Sequence, residues 1–280
     1  SVIVHNPPAL TLQNMFICTG STTILDAGVT ASSYLWTPNG ETTRTITVST
    51  GGTYTVTATS SYGCVATASS TVTMGTAINI NLDDVSFCQG DSAVLDAGYP
   101  GMTYAWTTGA TTQSIIIYSG GSYGVTVDDN SGCTGSISVN AQINPIPVAN
   151  FTTNSVCAGS ITQFTDASSI ASGLITNWSW DFGDTTYSTD QDPTHVYTNP
   201  GTYTVTLTAT SVEGCSHTVS NLVTVNPLPV ANFSSGSACQ GSTLAFTNSS
   251  SVSSGIITTY AWNFGDAGTS SAQNPTHLYS

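Results

Sequence analysis

The chain repeats itself. Cys18, Trp36, Tyr54 and Cys64 return as Cys88, Trp106, Tyr123 and Cys133, and a longer version carries Cys157, Trp180, Tyr203 and Cys215 before restarting with Cys239 and Trp262. Self-similarity at a fixed period marks an array of small units, each burying its own core or sharing one with its neighbour. The first two units align with a shift of 70 residues up to the tryptophan and 69 after a deletion beside Gly40. The third and fourth keep a constant shift of 82: Val148-Ala149-Asn150-Phe151 returns as Val230-Ala231-Asn232-Phe233, and Pro193-Thr194-His195 as Pro275-Thr276-His277. Units of about 70 to 82 residues are small but fall within the range that folds independently.

Within a unit the apolar residues alternate instead of following a helical period. Residues 53–57 and 202–208 place apolar side chains on one face and threonines on the other. Such alternation predicts half-buried strands, with β-branched residues even on the wet side. Gly63 and Gly214 interrupt the alternation, which then resumes, so these segments read as hairpins. Several short strands per unit, broken by Gly, Pro, Asn and Ser, predict an all-β chain of tandem β-sandwiches in a linear array. The expected division is residues 1–8 as the end of a preceding repeat or linker, 9–75 and 76–145 as two sandwich repeats, 146–227 as a longer sandwich, and 228–280 as its incomplete second copy. Asn144-Pro145-Ile146-Pro147 and Asn226-Pro227-Leu228-Pro229 read as short stiff joints, because proline fixes φ and donates no ladder hydrogen bond. Trp36, Trp106, Trp180, Trp262, Tyr54, Tyr123 and Tyr203 recur by position and are the expected core.

Composition excludes several classes of function. Arg44 is the sole lysine-or-arginine residue against 15 acidic ones, for a net charge of −14. A chain with a single such cation does not neutralise phosphates, so nucleic acid is not an expected partner, and docking on anionic lipid is equally disfavoured. No apolar run approaches the roughly 20 residues of a membrane helix, so membrane insertion is not expected. The opening at Ser1 carries no signal peptide and reads as the middle of a longer protein. Ser and Thr supply 88 of the 280 residues, hydrating the outer faces.

Seven cysteines remain to be paired. Pairing within repeats gives Cys18–Cys64, Cys88–Cys133 and Cys157–Cys215, and leaves Cys239 unpaired because its partner would lie past the truncated end. Closing a loop of about 46 residues contributes about 4 kcal/mol in the chain-entropy account. Such bridges imply an oxidising compartment, outside the cytoplasm.

Trp180-Asp181-Phe182-Gly183-Asp184, then Asp192-Pro193-Thr194-His195-Val196-Tyr197, then Gly201-Thr202-Tyr203-Thr204-Val205 closely resemble PKD domains, and with its second copy the motif covers about residues 148–280. The first two units resemble the Ig-like, PKD-related repeats of very large Bacteroidota surface proteins secreted by the type IX system, including gliding-motility adhesins of the SprB kind. The resemblance implies Ig-like sandwiches, an extracellular location and a non-catalytic stalk or adhesive role. PKD domains also serve as accessory modules of secreted proteases and polysaccharide hydrolases, which is the alternative.

Candidate chemistry is sparse. Asp181 and Asp184 are a possible carboxylate pair or part of a calcium cluster with Asp190 and Asp192, yet Asn263 replaces Asp181 in the fourth unit while Asp266 keeps the place of Asp184. Turn capping survives that exchange, whereas paired catalysis does not. Asp83-Asp84 at the first junction and Asp128-Asp129 in a late hairpin are further weak calcium candidates, calcium being the one cofactor the sequence suggests. Recurring His195 and His277 read as hydrogen-bonded structural histidines; His5 and His217 stand alone. Asp91-Ser92-Ala93 and Asp184-Thr185-Thr186 resemble Bacteroidota O-glycan acceptors at Ser92 and Thr185. Expected partners are neighbouring repeats of the same chain, other copies in a fibre, or surface polysaccharide stacked on tyrosines such as Tyr99, Tyr118 or Tyr187.

Overall fold

The computed structural model describes residues 2–279, and every regular element among them is a β-strand. The chain divides between Ile143 and Asn144 into two compact units, each holding two repeats. In the first repeat the strands are β1 (Met15–Cys18), β2 (Thr23–Asp26), β3 (Ser33–Thr37), β4 (Thr45–Val48), β5 (Gly52–Thr59) and β6 (Val65–Gly75). A four-stranded sheet ordered β1-β6-β5-β3 faces the pair β2-β4. The second repeat copies this with β7 (Val85–Cys88), β8 (Ala93–Asp96), β9 (Thr103–Trp106), β10 (Ser114–Ile117), β11 (Gly121–Asp128) and β12 (Thr134–Asn144), ordered β7-β12-β11-β9 against β10-β8.

The predicted alternation places the core. On β5, Tyr54, Val56 and Ala58 are buried, and Trp36 is fully enclosed between the sheets. Its indole Nε1 donates to the Thr43 carbonyl at 2.9 Å, and Trp106 repeats this bond to Thr112 at 2.8 Å. Tyr54 and Tyr123 each turn their hydroxyl back to a carbonyl four residues upstream, Thr50 and Ser119. A buried aromatic with one polar atom needs such a partner, which explains why Trp and Tyr recur with their loops.

In the second unit the third repeat contains β13 (Phe151–Thr153), β14 (Val156–Cys157), β15 (Ile161–Asp166), β16 (Ile175–Asp181), β17 (Tyr187–Ser188), β18 (Thr194–Val196), β19 (Gly201–Ser211) and β20 (Ser216–Asn226). The sheet β14-β20-β19-β16-β17 packs on β13-β15-β18. In the fourth repeat, β21 (Phe233–Ser235), β22 (Thr243–Asn248) and β25 (Thr276–Leu278) form one sheet, and β23 (Trp262–Asn263) pairs with β24 (Thr269–Ser270). The chain is therefore a set of tandem β-sandwiches, as the alternation predicts, and they are Ig-like, as the resemblance implies. Trp180 is fully buried, whereas Trp262 is half-buried, because no described strand follows β25 to cover it.

Candidate functional site

Two arrangements carry side chains whose chemistry goes beyond packing: a cystine between repeats, and an aspartate–histidine–aromatic ladder.

The cystine begins with strand direction. β1 runs parallel to β6, and the register sets Cys18 opposite Gly75, the last residue of β6. Cys64 lies in the turn before β6 begins, where Ser60 N donates to the Cys64 carbonyl at 2.9 Å. Eleven residues of β6 separate the two cysteines, roughly 35 Å of extended chain. A disulfide needs Cα atoms within about 7 Å, so the expected Cys18–Cys64 bridge is impossible. Instead Cys18 bonds to Cys133, the turn cysteine of the second repeat, with Cα atoms 5.6 Å apart. This corrects Cys88–Cys133 as well. Cys157–Cys215 fails for the same geometric reason: Cys157 lies opposite Asn226 at the end of β20, Cys215 precedes the start of that strand, and Cys157 is a free thiol. Cys88 and Cys215 are both disulfide-bonded, while Cys64 and Cys239 join Cys157 as free thiols.

The linker between the first two repeats passes directly under the cystine. A Cβ built on Gly75 would lie 2.6 Å from the Cys133 sulfur and 2.6 Å from Phe16 Cζ, so only a hydrogen fits there. The turn cysteines take the same seat in each repeat. Cys64 donates its thiol to the His5 carbonyl at 3.4 Å, Cys133 lies over Gly75, and Cys215 lies 3.9 Å from the Asn144 carbonyl. His5 also stacks on Tyr62 with ring centroids 3.6 Å apart.

The ladder occupies the second unit. Asp181 Oδ1 accepts from the Gly183 amide at 2.9 Å, closing a turn that Gly183 permits by its positive φ of 78°. Any Cβ at Gly183 would also meet the Thr204 carbonyl oxygen at 2.5 Å. The turn presents Asp184, whose Oδ2 accepts from His195 Nε2 at 2.7 Å, and the His195 ring stacks on Phe182 at 4.4 Å and 1°. Tyr197 meets His195 edge-on at 4.5 Å and donates its hydroxyl to the Phe182 carbonyl at 2.9 Å. Trp180 and Phe164 continue the stack into the core. Every contact returns 82 residues later, with His277 on Asp266 at 2.7 Å, on Phe264 at 4.2 Å and against Tyr279 at 4.7 Å.

Partial burial pushes the Asp184 carboxyl upward, but hydrogen bonds from Thr186 and His195 outweigh it and hold the group below the usual carboxylate range. Asp266 is lowered chiefly by its bond from His277, then by the Gly268 amide. Burial pushes the Tyr197 phenol well up. The Thr186 hydroxyl is bonded to Asp184, and its place in the fourth repeat is taken by Gly268. A hydroxyl that disappears while the Asp–His pair persists marks the pair as the repeating element, and that element locks a turn to the core.

The remaining candidates are dispersed. Asp84 Oδ1 caps the Asn140 amide at 2.7 Å, Asp128 caps Asn130, and Asp129 caps Ser131 and Cys133, while Asp83 is exposed. Backbone amides from Ser131 and Cys133 hold Asp129 below its usual range. Among the described residues no three of His, Cys, Asp and Glu converge as a metal-binding group. Ser92 is exposed, and Thr185 is exposed in a left-handed conformation with φ of 71°. Tyr118 and Tyr187 lie 70% exposed, but Tyr99 is half-buried and donates to the Asn79 carbonyl at 2.8 Å. His217 accepts from the Ala149 amide through Nδ1 at 3.0 Å, a structural bond that no sequence pattern announced.

Comparison with known proteins places part of the chain. The PKD domain family matches residues 144–225 and 226–280. The chain is 38% identical over 87 residues to the microbial collagenase of Vibrio alginolyticus, covering 30% of this chain and 11% of that protein. It is 41% identical over 64 residues to collagenase ColA of Bacillus cereus, covering 23% and 7%. The PKD1 domain of the Vibrio cholerae metalloprotease PrtV is 38% identical, covering 29% of this chain and 96% of that one, with a TM-score of 0.27. The chain thus spans about a tenth or less of the curated relatives it matches. Its second half, residues 144–225 and 226–280, belongs to the PKD domain family.

Proposed function

We propose that this chain is a non-catalytic, load-bearing stalk segment of a long extracellular protein on a bacterial surface, of the type IX-secreted adhesin kind that its first two repeats resemble. The observation that carries the reading is the Cys18–Cys133 bond. It closes 115 residues of sequence across successive repeats. Tension entering at β1 passes through sulfur to the turn before β12, so most of both repeats is shielded behind a covalent short-cut. Cystines also favour an oxidising, extracellular setting. The Asp184–His195 and Asp266–His277 pairs support the same role, since each ties a surface turn to an aromatic stack. Adhesion to surface polysaccharide and lateral packing into fibres are the activities such a stalk would serve.

Single-molecule force spectroscopy on the chain tests this. The oxidised protein is expected to release less contour length than the reduced one by at least about 115 residues at ~3.5 Å each, roughly 400 Å, because reduction also opens the bonds of Cys88 and Cys215. Equal extension in both states would refute a load path through the cystine.

A second reading, an accessory region of a secreted hydrolase, is favoured by one observation: curated relatives that it matches are named as collagenases and a metalloprotease. The full-length gene separates the two, because a catalytic domain beside these repeats supports the accessory role and many further repeats support the stalk.

A further inference from the structure

Phe151 is 5% exposed, while its counterpart 82 residues on, Phe233, is 55% exposed. In the third repeat Val205 and Leu207 of β19 and Val223 and Val225 of β20 complete the core around Phe151 and Trp180. Nothing among the described residues does so in the fourth. There a groove of about 500 Å³ stays open, lined by Phe233, Phe246, Trp262, Phe264 and Tyr279. Its shape is that of a third-repeat core with one hairpin removed.

Cys157 presents a second unfilled position, and the first unit shows how its counterpart is used. Cys18 ends β1 opposite Gly75, and the turn cysteine of the next repeat, Cys133, lies over Gly75 and bonds to it. Cys157 ends β14 opposite Asn226. Asn226 is the 82-residue counterpart of Asn144, over whose carbonyl the disulfide-bonded Cys215 already lies at 3.9 Å. An asparagine at this linker position therefore accommodates a turn cysteine above it.

We propose that Cys157 is a cystine site for the turn cysteine of a hairpin built like β19–β20, which fills the aromatic groove of the fourth repeat and bonds backwards to the third. Groove and thiol are separate observations that specify one occupant: an apolar hairpin with a cysteine at its turn. The inference concerns sulfur pairing and stands apart from any load the chain bears. In the bonding step the two thiols together give up two protons and two electrons. The disulfide of oxidised glutathione accepts them by exchange and leaves as two glutathione thiols.

The test extends the 280-residue chain past Ser280 with a copy of residues 199–226, which continues the 82-residue period and supplies a counterpart of Cys215. Trp262 emission, read first in reducing buffer, reports closure of the groove; a blue shift is expected as the indole is enclosed. After oxidation in a glutathione buffer, peptide mapping without reduction is expected to join Cys157 to the appended turn cysteine, with iodoacetamide labelling of Cys157 falling at least ~10-fold. In the Cys157→Ser chain the appended cysteine is expected to remain a labelled thiol while Trp262 still shifts. A bond to Cys239, or a Cys157 that stays reactive once Trp262 is enclosed, overturns the pairing. A Trp262 that never shifts overturns the hairpin as the groove's occupant.

Discussion

Cys18 and Cys133 belong to successive repeats, yet their Cα atoms lie 5.6 Å apart and their sulfurs are bonded. Each repeat sends its early cysteine to one pole and its turn cysteine to the other, so a cystine between repeats uses the distance that forbids one within them. Removing the bond with Cys18→Ser frees a 115-residue loop in the unfolded chain. A loss of up to about 5 kcal/mol follows from loop-closure entropy. Denaturant unfolding of the oxidised chain and the variant measures it, and mapping that returned Cys18–Cys64 would sink the topology with it.

Gly75 is the narrowest point of that junction. Gly75→Ala puts a methyl where the Cys133 sulfur and the Phe16 ring already stand. The Phe16 ring is 41% exposed and can turn aside, but the sulfur is tethered by its bond and cannot. Overpacking of this kind costs about 1–3 kcal/mol. Urea midpoints should show it in the oxidised protein, and a neutral result would mean the linker has room it does not display here.

Asp184 makes the second unit acid-sensitive. Its carboxyl is held below the ordinary carboxylate value, so the unfolded chain binds the proton more readily than the folded one. The resulting stability is complete above about pH 4, the ordinary carboxylate pKa, and drains away as pH falls through the lower folded value. Asp184→Asn is expected to lower stability at neutral pH and to flatten the acid limb relative to the parent. Urea midpoints followed from pH 7 to pH 3 check both; parallel acid limbs in the two proteins would contradict the assignment.

Thr185 sits at φ of 71°, and Ala267 occupies the same place at 72°. A β-branched residue is strained there, whereas glycine is not. Thr185→Gly is expected to raise stability by roughly 0.5–1 kcal/mol, the residual after glycine's extra unfolded entropy is subtracted. Thermal unfolding resolves a change of that size, and a destabilised variant would show that the hydroxyl or methyl contributes more than the strain costs.

Tyr197 is buried and gives its only proton to the Phe182 carbonyl. Tyr197→Phe leaves that carbonyl unpaired beside the His195 stack, at a cost of about 1–3 kcal/mol. A smaller change in the denaturation midpoint would mean that water reaches the carbonyl.

What could be read from residues alone was whatever is local or repeated. Alternation in residues 53–57 and 202–208 identified strands, since a strand's two faces meet different solvents residue by residue. The 82-residue echoes of Asp184 and of His195 marked each as structural, because chemistry unique to one site does not need copying; that the two bond to each other came only from the structure. The exchange of Asp181 for Asn263 already pointed to turn capping. The sulfur pairing was not legible in this way. The nearly equal spacing of Cys18–Cys64 and Cys88–Cys133 looks the same whether bonds close within a repeat or reach the next. Only the parallel register of Met15–Cys18 on Val65–Gly75 decides which pole each thiol occupies. That register is a long-range hydrogen-bond pattern between residues 57 apart in sequence, and no short-range periodicity encodes it. Composition and period determined the kind of bead; the direction of one edge strand determined how the beads are joined.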